Sequence, residues 1–441
     1  MGQTLATPPG YRALAVEELR HYVAKKPVLC DRLGGESADW RIEEVGDGNL
    51  NLVFKLHGPA GGLAIKQALP YVRLVGESWP LPLSRAHYEQ AALALQDRLT
   101  GGLVPRLLHY DRPMALIAME LLEPHIIMRQ GMIAATRYPA FVEAITDFMA
   151  KTYFHTCDLA LPAGEKKELI ATFAGNSALC KITEDLIFTE PFMRAENNRW
   201  TSPQLDGMAA ALRQDLPAKL AISRLKVIFM TQAQALLHGD LHSGSIMLTA
   251  DDTRVIDPEF AFVGPIAFDV GALLGNLLLS YFSQDGHESR PGERDGYRDW
   301  ILEALQGCWT GFETKFLALW RGAAAGGDAY PRTLFDDAAG EAALEAERRR
   351  VLGLLFRDTL GFVGAELIRR TLGLAHNIDL EWIENPDRRA ACEASALGLA
   401  RDLLIAPRAF PDVTALAQAA RRRRAWRPPL GTSFSAEQWA L

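Results

Sequence analysis

Apolar positions in the first 120 residues come in short clusters broken by glycine and proline, whereas from about residue 124 they recur at helical spacing over long stretches. Residues 11–35 read as a helix and its exit, preceded by Pro8-Pro9 and followed by Gly34-Gly35. Trp40-Arg41-Ile42 then leads to a glycine turn at 46–48. The run Leu50 to Leu56 alternates loosely, Gly61-Gly62 turns the chain, and Leu63-Ala64-Ile65-Lys66 reads as a third strand. Residues 84–99 predict a helix with Ser84 as N-cap and Gly101-Gly102 beyond its end. Two short strands follow, near 106–110 and 115–119.

Beyond residue 124 the amphipathic segments are 138–156, 206–214, 221–237, 296–321, 341–373 and 388–405, with one strand-and-turn region at 245–264. The pattern predicts an α+β chain in two lobes: a small β-rich lobe over 1–122, an antiparallel sheet with helices, and a larger, mainly helical lobe over 123–441. A cleft between them is the expected site.

Composition narrows the classes. Hydrophobic residues at 49% and charged residues at 23% are globular values. The net charge of −7 speaks against general nucleic-acid binding. The five cysteines are scattered without C-x-x-C spacing, so neither a disulfide framework nor a zinc site is expected. The start lacks a basic n-region and an apolar core, and Ala6 stands where a myristoylation signal wants Ser or Thr. The longest apolar stretch, 260–282, contains Pro265, Asp269 and glycines, a pattern a membrane span tolerates badly. The expectation is a cytoplasmic protein with no membrane partner. The basic run Arg421–Arg424 reads as a solvated tail, anchoring to an acidic surface being the alternative.

The densest chemical signal is Leu237-His238-Gly239-Asp240-Leu241-His242-Ser243-Gly244-Ser245, followed seventeen residues after Asp240 by Asp257-Pro258-Glu259. A buried strand ends in these two carboxylates, at i and i+2, and along an extended chain those positions point to the same side. Two acids that close repel unless a cation lies between them, and magnesium, bound by carboxylates and substrate phosphates, fits. An Asp near an attacking hydroxyl, a later metal-binding Asp, and a Lys and glycine turn in a preceding β lobe are the parts phosphoryl transfer needs. Asp240 is the expected catalytic residue. Asp257 and Glu259 would hold the metal, beside Pro258. Gly46, Gly48 and Asn49 form the candidate phosphate turn. Lys66 is placed for the nucleotide phosphates, and Glu89 would hold Lys66. Backbone groups of Glu120, Leu121 and Leu122 could read an adenine edge. His238 and His242 are expected to shape the loop rather than move protons.

The stretch H-G-D-L-H-S-G-S-I-M with V-I-D-P-E-F-A-F-V-G-P-I-A-F-D-V-G-A-L-L-G-N resembles the S-methyl-5-thioribose kinase family of the protein-kinase-like superfamily, alongside aminoglycoside phosphotransferases and choline kinases. V-G-D-G-N-L-N-L-V-F matches that family's phosphate turn, and 196–206 and 364–381 look like family sequence. The resemblance covers about 40–405. It implies a bilobal protein-kinase-like fold and ATP- and Mg2+-dependent phosphorylation of the anomeric hydroxyl of 5-methylthioribose, in methionine salvage, by a homodimer. It also puts Asp240, Arg369 and Arg370 on the substrate side, with Trp200 in a loop over the substrate or simply buried. Where protein kinases carry a metal-binding Asn five residues after the catalytic Asp, this chain has Ser245, and Glu259 would compensate. A kinase for an aminoglycoside or choline, and a nucleotide-binding module without turnover, stay open as alternatives.

Overall fold

A computed structural model describes residues 7–46, 50–73, 76–322, 326–425 and 434. The expected two-part α+β architecture is found. The predicted helix over 11–35 is two helices, α1 (Val16–Val23) and α2 (Pro27–Leu33). Pro27 causes the break: the residue before a proline is pushed out of the helical region, and Lys26 has φ −116° and ψ 98°. Strands β1 (Arg41–Glu44), β2 (Asn51–Gly58) and β3 (Gly61–Ala68) follow, then a hairpin of β4 (Tyr71–Val72) and β5 (Gly76–Pro80). Helix α3 (Arg85–Thr100) leads to β6 (Leu107–Asp111) and β7 (Leu116–Glu120). Ser84 precedes α3 but makes no capping bond through its side chain, while Gly101, in the left-handed region, closes the far end as expected.

The sheet order is β1-β2-β3-β7-β6, antiparallel throughout. One face is apolar: Phe54, Leu56, Leu63, Ile65, Leu116 and Ala118 pack with Leu19, Val23, Leu29 and Leu33 of α1 and α2. Alternation along β3 therefore turns Lys66 to the opposite face, the one that α3 covers with Ala86.

The larger part begins with β8 (Ile126–Ile127) and helices α4 (Met128–Ile133), α5 (Phe141–His155), α6 (Ala163–Phe173), α7 (Ser177–Leu186), α8 (Asp206–Leu212) and α9 (Leu216–Thr231). Helix α9 starts earlier than expected because Asp215 caps it, accepting from the Ala218 N–H at 3.0 Å. It also stops earlier: residues 235 and 236 form β9 (Ala235–Leu236), so a strand, not a helix, feeds the His238–Ser245 loop. After β10 (Ile246–Leu248), β11 (Thr253–Val255) and β12 (Val263–Gly264) come α10 (Ile266–His287), α11 (Asp295–Arg321), α12 (Ala338–Leu372), α13 (Ile378–Glu381), α14 (Pro386–Ile405) and α15 (Val413–Ala425). Strand β12 pairs with β9, and β10 lies between β11 and β8.

Helix α10 is the axis of this part, packed by α11, α12 and α14. Every residue from Ile266 to Gln284 is buried. A helix covered all round has no polar face, so period gave it no signature. It has the length and apolarity of a membrane span, but the protein's own helices cover it.

The run Arg421–Arg424 is not a loose tail. It is the last turn of α15, and Arg421 pairs with Asp299 at 3.0 Å, Arg423 with Asp402 at 2.7 Å, and Arg424 with Asp285 at 3.0 Å and Asp295 at 3.1 Å.

Candidate functional site

The loop from His238 to Ser245 joins β9 to β10. Gly239 has φ +82°, and a Cβ there would stand 2.1 Å from the Phe260 carbonyl oxygen, so the position requires glycine. Asp269, in the first turn of α10, accepts from the His238 N–H at 2.6 Å and the Gly239 N–H at 3.0 Å. Tyr153 donates its hydroxyl to the same carboxylate at 3.0 Å. Burial pushes the Asp269 carboxyl up in pKa, and these donors oppose that.

Both loop histidines have their tautomers fixed by neighbours. His238 Nδ1 accepts from the Asp240 N–H at 3.2 Å, leaving Nε2 to donate to the Ile256 carbonyl at 2.8 Å. His242 Nδ1 accepts from the Gly244 N–H at 2.9 Å, so Nε2 carries the proton toward Asp240 Oδ2, 3.2 Å away. Burial drives His242 down to about 4, with Asp240 resisting, so the ring is neutral at physiological pH. Asp240 shows the opposite balance. Burial works against its charge, but His242, Arg369 and Arg370 overcome it and hold the carboxyl well below the usual range. Ser245 is buried and donates to the Asp240 carbonyl at 3.0 Å, so its hydroxyl braces the loop from within.

Asp257 follows β11 with φ +68°. The strand ends before it, so the extended-chain argument for two same-side acids does not hold. A left-handed residue bends the chain, and it is this bend that brings both carboxylates onto Lys66. Lys66 Nζ pairs with Asp257 through a short contact, with Glu259 at 3.2 Å, and with Glu89 of α3 at 2.9 Å. Burial works against the Lys66 charge, but Asp257, Glu259 and Glu89 outweigh it and hold the lysine protonated. Glu89 is buried rather than on the surface. Asp257, at the open side with about half of its side chain exposed (49%), is pushed up to about 6 by its surroundings and by Glu259, against the pull of Lys66. Glu259 is buried and held low despite that burial, because Lys66, Arg85 and Asn51 stabilise its charge.

Oxygens of Glu89, Asp257 and Glu259 lie within 4.8 Å of one another. An all-carboxylate donor set at this spacing suits a hard cation such as Mg2+, with Asp257 the ligand open to solvent. Of the expected phosphate turn, Gly46 is exposed, while Gly48 and Asn49 lie outside the described residues. Glu120 ends β7, and its carboxylate accepts from the Arg106 N–H at 3.1 Å and from Arg254 at 3.3 Å. Arg254 lies on β11, the strand leading to Asp257, so the end of β7 is tied to the acidic turn. Leu121 packs toward Gly62, and Leu122 is buried.

Arg369 and Arg370, at the end of α12, also face Asp240. Their Nη2 atoms are 3.4 Å and 3.8 Å from Asp240 Oδ1. Glu366, one turn earlier, holds both: 3.1 Å to Arg369 Nε and 2.8 Å to Arg370 Nε. Trp200 is engaged elsewhere. Its indole N–H donates to Asp206 at 2.7 Å, and the Arg213 guanidinium covers its ring at 5.3 Å. The neighbouring Arg199 pairs with Glu381 at 2.5 Å, which docks this loop on the segment after Arg370.

Two site residues escaped the sequence reading. Asn51 donates to Glu259 Oε2 at 2.6 Å and accepts from Arg85 Nη2 at 2.9 Å. Arg85, fully buried, also donates to the carbonyls of Leu69 at 2.7 Å and Leu50 at 3.0 Å. A signal was present: a cation in the first turn of a helix opposes the macrodipole, so an arginine there points to a specific anionic partner.

Residues 41–308 match the model of the phosphotransferase enzyme family. The chain is 45% identical over 406 residues to methylthioribose kinase 1 of Oryza sativa subsp. japonica, covering 92% of this chain and 94% of that one. It is 44% identical over 419 residues to the methylthioribose kinase of Escherichia coli O45:K1 (strain S88 / ExPEC), covering 95% and 99%. It is also 41% identical over 400 residues to that of Yersinia pseudotuberculosis serotype O:3 (strain YPIII), covering 89% and 94%. With its phosphotransferase match and this near full-length identity, the chain belongs to the methylthioribose kinase family.

Proposed function

We propose that the chain transfers the γ-phosphoryl group of ATP to the anomeric hydroxyl of S-methyl-5-thioribose, giving the 1-phosphate in methionine salvage. The observation that carries this reading is that Asp240 meets two unlike groups: Arg369 and Arg370 pair with it, and Asp257 of the Lys66 cluster lies within its electrostatic reach. Residues 1–122 act as the nucleotide lobe, with Lys66 and the turn at Gly46, Gly48 and Asn49 on the phosphates and Glu120, Leu121 and Leu122 along the base. Residues 123–441 carry the acceptor.

Asp240 is ionised at neutral pH and a weak base, so its main work is to hold the attacking hydroxyl by accepting its hydrogen bond. Neutral His242 fixes the carboxylate's rotation by donating to Oδ2. Arg369 and Arg370 face the oxygens on which charge accumulates during transfer. Asp257 and Glu259 are the residues that would hold Mg2+, with Pro258 stiffening the turn between them. The ion supplies charge neutralisation at the phosphates when bound.

The reading extends to a cytoplasmic homodimer. Leu216, Leu220, Val227 and Met230 are exposed and fall on one face of α9, an apolar surface for a second copy to cover. Light scattering of the wild type and of Leu220→Glu checks this. The function itself is tested by ADP release with ATP and magnesium on methylthioribose, ribose, choline and kanamycin. Turnover confined to methylthioribose and lost in Asp240→Asn is expected; turnover only on another acceptor would overturn the substrate.

A further inference from the structure

Behind the Asp240 loop lies a buried network that no expected site residue explained. Arg129 of α4 is bound to the loop twice: its backbone N–H donates to the Ser243 carbonyl at 3.1 Å, and its Nε to Ser243 Oγ at 3.0 Å. Asp379, fully buried on α13, is its counter-ion at 3.4 Å. Arg129 Nη2 donates to Asn276 Oδ1 at 3.0 Å, and Asn377 Nδ2 donates to the same oxygen at 3.3 Å. The Asn276 amide nitrogen spends both hydrogens, one on the Ala272 carbonyl at 2.9 Å and one on Glu366 Oε1 at 2.8 Å. Glu366 is the carboxylate that holds Arg369 and Arg370.

A primary amide has two donors on one atom and an acceptor on the other. Here cation-side donors meet its oxygen and an anion meets its nitrogen, so its orientation is fixed from both ends. It is neutral, so it can stand between Arg129 and Glu366 without attracting either guanidinium out of place. We propose that Asn276 is a positioning residue for phosphoryl transfer, setting the separation between the Asp240 loop, held through Arg129 and Ser243, and the Arg369–Arg370 pair, held through Glu366. The inference rests on the kinase reading only for the reaction to be assayed.

The test exploits the amide's polarity. Asn276→Asp keeps the size and the oxygen facing Arg129 but turns an oxygen toward Glu366. Asn276→Ser, small and neutral, is the second variant: it breaks the bridge without placing a charge beside Glu366, whose Oε1 also accepts from Arg370 Nε. Kinetics are run on whichever acceptor the wild type turns over, beside thermal melts. The expected result is a kcat loss of tenfold or more in Asn276→Asp and a smaller loss in Asn276→Ser, with KM for ATP within twofold in both. An unchanged kcat in Asn276→Asp would overturn the proposal. So would a loss matched by a rise in KM for ATP, or one seen only where the melting temperature has fallen, which is what a merely structural asparagine would show. Wild-type silence on methylthioribose with turnover of another acceptor sinks the substrate and leaves the Asn276 test standing.

Discussion

Glu259 reaches across the molecule to Asn51, 208 residues earlier, whose side-chain amide donates to its Oε2 at 2.6 Å. This bond joins the first residue of β2 to the acidic turn after β11, so the sheet and the helical part share one carboxylate. Asn51→Leu removes the donor while keeping a side chain a strand accepts. Leaving Glu259 buried with one donor fewer is expected to cost about 1–3 kcal/mol, read from urea denaturation. ADP release should fall with it, because Lys66 and Arg85 then hold the Glu259 carboxylate without the Asn51 bond.

Lys66 sits among three carboxylates. Lys66→Met leaves Glu89, Asp257 and Glu259 facing one another without a cation. The variant should lose most of its turnover and melt at a lower temperature than the wild type. Added magnesium should raise its melting temperature by more than it raises that of the wild type. Equal magnesium shifts in the two proteins, read by differential scanning fluorimetry, would exclude a cation among these acids.

His242 makes stability depend on pH. Its folded pKa, about 4, lies below the unfolded value of about 6.5. Between those values the unfolded chain binds a proton that the folded chain does not, so stability falls as pH drops from 6.5 toward 4. The full difference is about 3 kcal/mol. His242→Asn keeps an acceptor near the Gly244 N–H and removes the titration. Its denaturation midpoint should vary less steeply with pH across that window than the wild type's.

Gly239→Ala places a methyl group against the Phe260 carbonyl in a left-handed backbone. Either the loop or the 258–260 turn must move. The expected outcome is loss of activity with a destabilisation of about 2 kcal/mol or more. Near-normal kcat would mean that the loop relaxes without consequence for Asp240.

Much of this was legible in the sequence. Asp240, Asp257 and Glu259 are close in sequence and flanked by apolar strands, so local pattern marked them. Lys66 followed from its place at the end of the third expected strand. Arg129, Asn276 and Asn51 did not, because each acquires its partner through tertiary packing, and a lone polar residue in an apolar run has no period to betray it; Arg85 carried a signal at the start of α3 that was passed over. The left-handed turn at Asp257 was also invisible: spacing alone does not distinguish an extended strand from a bend. The break at Lys26-Pro27 was legible from proline chemistry, and the long reading over 11–35 passed over it. Helix α10 was hidden by its own burial.

The clasp of α15 bears on how the protein is made. Arg421 and Arg423 pair with Asp299 and Asp402, and Arg424 adds a second guanidinium to Asp285 and Asp295, which Arg298 already holds. During synthesis α15 is the last of the described helices to leave the ribosome, so these four pairings close onto α10, α11 and α14 only after those helices have been made. Nascent chains stalled before residue 413 are the ones most exposed to aggregation and proteolysis.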